Sequence, residues 1–205
     1  MDEMNAASPP SRRTGAFTLI ELMIVIAIAS LMMVMAVPAL RTLLAGTNLD
    51  RAGQQLGDAI LRARQEAVSR NREVDVLFYQ FSSGGLQGWC GVQSFRIDQT
   101  ATGSTATPLG RLLVVPTGII ISASSALSPL LAADSSLEGS TNLPAYGTAG
   151  TAGFRYRADG TVASPVTTAN NFLTLQNITA TGSPPANYYT IQVNPITGKV
   201  TLFRP

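Results

Sequence analysis

The stretch that decides the architecture is residues 15–40, GAFTLIELMIVIAIASLMMVMAVPAL. Its last 19 residues, 22–40, carry no charge and are interrupted only by Ser30 and Pro38. About 20 apolar residues span a hydrocarbon layer roughly 30 Å thick, so Leu22, Ile24, Ile26, Leu31, Val34 and Leu40 are expected to face lipid. Arg12 and Arg13 precede the run, and the next charge after it is Arg41. Basic residues ahead of a first span hold the N-terminus in the cytoplasm, which puts the rest of the chain in a periplasm-like compartment. Three plain readings compete: a cleaved secretory signal, a simple signal anchor and a buried core helix. Glu21 speaks against all three. A carboxylate within a span costs roughly 2.5–3.5 kcal/mol and calls for a partner.

Outside this run the composition excludes more than it suggests. The chain has 205 residues, with 14 Lys+Arg, 12 Asp+Glu, no His and one Cys. That length supports one domain with an appendage and a real core. Without His there is no His-based triad, His zinc site or ordinary neutral-pH general base. Cys90 alone can form neither an internal disulfide nor a thiolate cluster. No phosphate loop, nucleophile elbow or acid cluster with metal spacing is present, so no enzyme, cofactor, metal site or small-molecule substrate is expected. The loop acids Asp134, Glu138 and Asp159 fall short of the six to eight oxygens that Ca²⁺ takes. A net charge of +2 argues against a dedicated nucleic-acid binder, although the pI is about 9.0. The mean hydropathy of +0.21 is carried largely by the apolar run.

After Arg41 a helical stripe continues. Leu49, Ala52, Leu56, Ala59/Ile60, Ala63 and Ala67 recur at three- and four-residue steps, with Arg51, Asp58, Arg62, Glu66 and Arg70 opposite. Residues 17–71 would then make roughly 80 Å of helix at about 1.5 Å per residue. Pro38 should kink it. Gly46, Gly53 and Gly57 weaken it, unless close packing against a sheet requires them. Arg62, Arg64, Arg70 and Arg72 read as a solvated, salt-bridged face interleaved with Glu66 and Glu73.

Beyond Asn71 the period changes from 3.6 to 2. Residues 73–81, 89–97, 111–115, 119–122, 154–157, 172–178, 188–193 and 199–203 read as strands. Asp159-Gly160 and Thr197-Gly198 read as tight turns. The alternation predicts antiparallel sheets with one face on the helix. Residues 122–153 are rich in Ser, Ala, Gly and Thr with little periodicity, and read as a long surface loop with a helical turn near Leu130–Ala133. The expected fold is α+β: a long N-terminal helix packed on a C-terminal antiparallel β-sheet head.

Gly15-Ala16-Phe17-Thr18-Leu19-Ile20-Glu21-Leu22-Met23 closely resembles the processing signal of type IV pilins and pseudopilins. The resemblance implies that a prepilin peptidase removes residues 1–16, cutting between Ala16 and Phe17, and that the new N-terminal Phe17 is N-methylated. It also implies that Glu21 becomes the fifth mature residue and Pro38 the twenty-second, as in the family. The family usually has Gly before the cut, whereas here Gly15 lies one residue earlier; cutting there would make Glu21 sixth. By the same resemblance, Glu21 would neutralise the new α-amino group of a neighbouring subunit and select the assembly register. The electrostatics agree, because an isolated charge in an apolar layer is expensive.

The implied organisation is a leader at 1–16, a transmembrane and filament-core helix at 17–45, its amphipathic half at 46–72, and a β-rich head at 73–205 with the loop at 122–153. A narrower likeness covers the head. Ala63-Arg64-Gln65-Glu66-Ala67, Arg70-Asn71, Gly88-Trp89, Phe154, Asp159-Gly160 and Gly198-Lys199-Val200 resemble the GspH/FimT branch of minor pilins and pseudopilins.

The implied role is a minor pilin in the bacterial inner membrane, with its head in the periplasm, that primes or caps a type IV pilus near its tip. The first alternative is a minor pseudopilin of a type II secretion system. The second is a DNA-uptake subunit using Arg155, Arg157, Lys199 and Arg204; the family's terminal basic motif survives here only at Lys199. The implied partners are other pilins or pseudopilins, the peptidase/N-methyltransferase, the inner-membrane assembly platform and the lipid bilayer.

Overall fold

The computed structural model describes residues 18–83, 86–101, 103–163 and 165–205, without the side chains of 35–45, 83 and 86. The chain divides into two compact units, residues 1–42 and 43–205. One α-helix, α1 (Leu19–Arg70), runs through both. It ends where Asn71 turns left-handed at φ 51°. There the Arg72 amide donates to the Ala67 carbonyl at 3.1 Å, satisfying a carbonyl that the helix leaves free.

In the second unit the expected stripe is the buried one. Leu49, Ala52, Leu56, Ile60, Ala63 and Ala67 are all 2% exposed or less, and they join the sheet in one core. Small residues at 52, 63 and 67 let the helix lie close to the strands. Gly53 and Gly57 go further. A methyl group at Gly53 would stand 2.4 Å from the Tyr189 ring, and one at Gly57 would stand 2.7 Å from Leu202. Gly46 has nothing within 4 Å, so packing explains two of the three glycines.

Among the described residues ten strands follow, every pair antiparallel: β1 (Glu73–Ser83), β2 (Leu86–Thr100), β3 (Gly103–Pro108), β4 (Leu113–Val114), β5 (Ile119–Ile121), β6 (Gly139–Leu143), β7 (Gly147–Tyr156), β8 (Phe172–Asn177), β9 (Tyr188–Val193) and β10 (Val200–Phe203). The sheet order is β10-β9-β8-β5-β2-β1-β7-β6, with β3 and β4 also on β2. Alternation explains β1: Val74, Val76 and Phe78 are fully buried on the face shared with Phe154. β5 joins β8 through three residue pairs but meets β2 only at Trp89↔Ile121.

Two departures from the sequence reading have one cause. Residues 122–153 are not a structureless loop. They carry 3-10 turns at Pro129–Ala132 and Ser135–Leu137, then β6 and the first half of β7. β3 was not expected at all. These strands are built from Gly, Ser, Thr, Ala and Asn, so backbone pairing holds them without an apolar alternation to reveal them.

Candidate functional site

Helix α1 begins with a reciprocal cap. The Glu21 amide donates to Thr18 Oγ1 at 3.3 Å. The Thr18 amide and hydroxyl donate back to Glu21 Oε2 at 3.3 and 3.2 Å. Thr-x-x-Glu is the capping-box spacing, and it satisfies donors that the first helical turn leaves free. A carboxylate there also suits the positive end of the helix dipole. The sequence reading gave Glu21 an intermolecular partner and overlooked Thr18, although the spacing was legible. The cleavage segment Gly15, Ala16 and Phe17, with Arg12 and Arg13, lies outside the described residues.

Beyond the cap, α1 exposes apolar side chains on every side. Leu22, Ile24, Ile26, Leu31 and Val34 are 55–71% exposed, though all belong in an apolar surrounding. Ser30 is made compatible with one by donating its hydroxyl to the Ile26 carbonyl at 2.7 Å. Among the described residues no helix is long and apolar enough to cross a membrane. The apolar run goes on through residues 35–40; the side chains of Pro38 and Leu40 are outside the described set.

In the head, the four candidate DNA contacts do not form one cationic surface. Arg155 lies opposite Asp75 across the β1–β7 ladder. It donates from Nε to Oδ1 at 2.5 Å and from the terminal nitrogen to Oδ2 at 2.9 Å, with Glu73 at 3.3 Å. Arg204 pairs with Asp50 at 2.7 Å and donates to Asn187 and to the Tyr188 carbonyl at 3.0 Å. Arg157 was expected on a strand face with Arg155, but it falls past the end of β7 in the turn before Gly160. Lys199 is exposed beside the second turn.

Those two turns touch. Gly160 and Gly198 adopt φ +82° and +65°, and a methyl group on Gly198 would stand 1.9 Å from the Gly160 carbonyl oxygen. From α1, Arg64 Nε donates to that same oxygen at 3.2 Å, so its cation serves the fold.

No three His, Cys, Asp or Glu side chains converge as a metal set among the described residues. Asp134 and Asp159 are used locally. Asp134 accepts from the Ser136 amide and hydroxyl, and Asp159 from those of Thr161, whose hydroxyl bond holds the Asp159 carboxyl below its usual range. Cys90 is buried; desolvation pushes its thiol up, and Sγ donates to the Phe81 carbonyl at 3.6 Å. Two concavities open on the head. A groove of about 450 Å³ lies between α1 (Asp58, Arg62, Glu66) and residues 109–113. A cleft of about 370 Å³ lies between Trp89 and Glu138.

Residues 11–37 match the prokaryotic N-terminal methylation motif, and residues 52–198 match the family described as type II transport protein GspH. No curated protein matches the chain. Among solved structures, the type IV minor pilin FimU of Pseudomonas aeruginosa is similar at 18% identity and a TM-score of 0.44, over 77% of this chain and 89% of that one. The minor pseudopilin EpsH of the Vibrio cholerae type 2 secretion system is similar at 12% identity and a TM-score of 0.43, over 77% of this chain and 98% of that one. With its methylation motif, its α1 helix and a GspH match across most of the head, the chain belongs to the type II transport protein GspH family of pilin-like subunits.

Proposed function

We propose that this chain is a minor filament subunit, held in the bacterial inner membrane by residues 22–40. A prepilin peptidase cuts it between Ala16 and Phe17, Phe17 is N-methylated, and the assembly platform draws the subunit into a type IV pilus near its tip, where it primes or caps the polymer. The head stays on the periplasmic side until then. The observation that carries the reading is a helix whose apolar side chains are more than half exposed all around and whose first turn holds a carboxylate. Such a surface needs lipid or other helices to cover it. Glu21 then meets the α-amino group of a neighbour, and because that contact forms at one axial offset it fixes register. Nothing in this role asks the head for chemistry.

Deletion of the gene, with pilus number and exoprotein secretion scored in parallel, tests the reading. Loss of pili with normal secretion is expected. Lost secretion with normal pili would instead assign the chain to a secretion pseudopilus, the reading favoured by the description of its family. Intact mass of the mature protein tests the cleavage bond, and a chain beginning at Ala16 would refute it. The DNA-uptake reading loses Arg155 and Arg204 to carboxylates, leaving Arg157 and Lys199 as its basis.

A further inference from the structure

The sheet ends in β6, whose outer edge pairs with nothing among the described residues. Exposed edges normally carry a protection: a charge, a proline, a bulge or extreme shortness. Gly139-Ser140-Thr141-Asn142-Leu143 has no charge or proline within the strand, although Glu138 precedes it and Pro144 follows it, and its register with β7 is unbroken over five pairs. The opposite edge differs. β10 is shorter, at four residues, and Arg204 just past it pins its end to α1 through Asp50. β3 is also an edge, but it closes in Pro108 and neither concavity borders it.

The 370 Å³ cleft opens beside the start of β6, where Glu138 and Gly139 line it with Gly150 and Thr151 of β7. Paired residues cross the sheet in one row: Trp89 opposite Gln80, Gln80 opposite Gly150, Gly150 opposite Ser140. Directly opposite residues share a face. Because Gly150 has no side chain, the row has a notch one strand inside the edge. Glu138, the residue before β6, supplies the only charge lining the cleft. Gln80, Trp89, Glu138 and Thr151 form no side-chain hydrogen bond or ion pair among the described residues.

Strand addition draws affinity from backbone bonds along an edge and specificity from recesses that take alternate side chains. We propose that the β6 edge accepts an extended segment of another protein carrying Lys or Arg opposite Ser140. That side chain crosses Ser140 into the notch over Gly150, where Glu138 meets its charge. A cation is specified because the cleft offers a carboxylate and neutral acceptors but no basic group. The proposal does not depend on which filament the chain joins.

The test uses the full-length chain in detergent micelles and two fluorescein-labelled peptides, Thr-Val-Thr-Lys-Thr-Val-Thr and its Lys-to-Glu twin. Anisotropy is expected to show the Lys peptide binding at least tenfold more tightly. Emission from Trp89, the sole tryptophan, should change only with the peptide that fills the cleft. Thr141→Lys, which charges the edge, should weaken the Lys peptide at least tenfold. Glu138→Gln and Gly150→Val should erase the preference for Lys. A methyl group at Gly150 meets only the Gln80 side chain, nearest at 3.3 Å, so Gln80 must shift to admit Val, and the melting temperature is read beside binding to separate a filled notch from a disturbed fold. Equal affinity for the two peptides, no binding of either, or indifference to Thr141→Lys would overturn the proposal. So would a change in the chain's own oligomeric state caused by Thr141→Lys without peptide, because a second copy would then be the occupant. No filament forms in this experiment, so its failure would leave the assembly role standing.

Discussion

Glu21 is asked to do two things by two neighbours, and single substitutions separate them. Within the chain it completes a cap with Thr18; between chains it is proposed to neutralise an α-amino group. Gln at the third helical position still closes a capping box, whereas Ala does not. Glu21→Gln should therefore keep the helix start ordered and membrane insertion intact yet lose filament incorporation. Thr18→Ala should fray the first turn, at a cost of about 0.5–2 kcal/mol, and keep partial incorporation. Amide exchange at residues 19–22, read beside filament incorporation, would show the split; equal loss of incorporation in both variants would mean that the cap alone matters. Asp75 poses a simpler case. It is 6% exposed and holds Arg155 through two bonds, so Asp75→Ala should lower stability by about 1.5–3 kcal/mol in denaturant titration. Burial raises the Cys90 thiol, so its thiolate is scarce at neutral pH and appears only above the ordinary thiol value. A thiol reagent at pH 8 should leave the native protein unmodified and label one thiol after denaturation.

At the scale of the element, α1 owes its second half to the sheet it lies on. Gly53 and Gly57 are poor helix formers retained because Tyr189 and Leu202 occupy the space a side chain would need. Gly46 meets no such neighbour. Gly46→Ala should stabilise the helix by about 1 kcal/mol. Gly53→Ala gains the same propensity but forces the Tyr189 ring aside, for a net loss of about 1–2 kcal/mol. Opposite shifts in melting temperature would check the pair; a shared direction would refute the packing account. This helix was largely legible in the sequence, because its buried stripe repeats every three or four residues. The apolar strands were legible too, in the alternation of Val74, Val76 and Phe78. β3, β6 and the first half of β7 were not: Gly, Ser and Thr pair well through their backbones but leave no hydrophobic period. Of the site, Phe17-to-Glu21 stood out as a motif, while the partners of Arg155 and Arg204 are set by pairings across 80 and 154 residues that no local pattern encodes.

For the whole molecule, the sheet is two blocks joined at β5, where one Trp89↔Ile121 pair connects β2 to the β8-β9-β10 block. A shared core under α1 compensates for that thin seam, since Leu173, Leu175 and Ile191 are as buried as Phe78. Ile60→Ala removes a fully buried side chain from this shared layer and should cost about 2–5 kcal/mol, seen as a single cooperative loss of both blocks. Two separated transitions would show that they unfold independently.

The tie between Arg204 and Asp50 bears on how the protein is made. A ribosome releases Asp50 long before Arg204, and β10, the strand that covers Gly57, emerges long after α1. Until then the inner face of α1 has no β10 to lie against, although the segment ahead of it is already available to the membrane. Closing so long a loop is also slow compared with forming local contacts. The head of this subunit therefore reaches its final form only after β10 has been made. During that interval its apolar helix face is open to chaperones and proteases, and Arg204→Ala, which removes the tie to Asp50, should lengthen that exposure and raise proteolysis in cells.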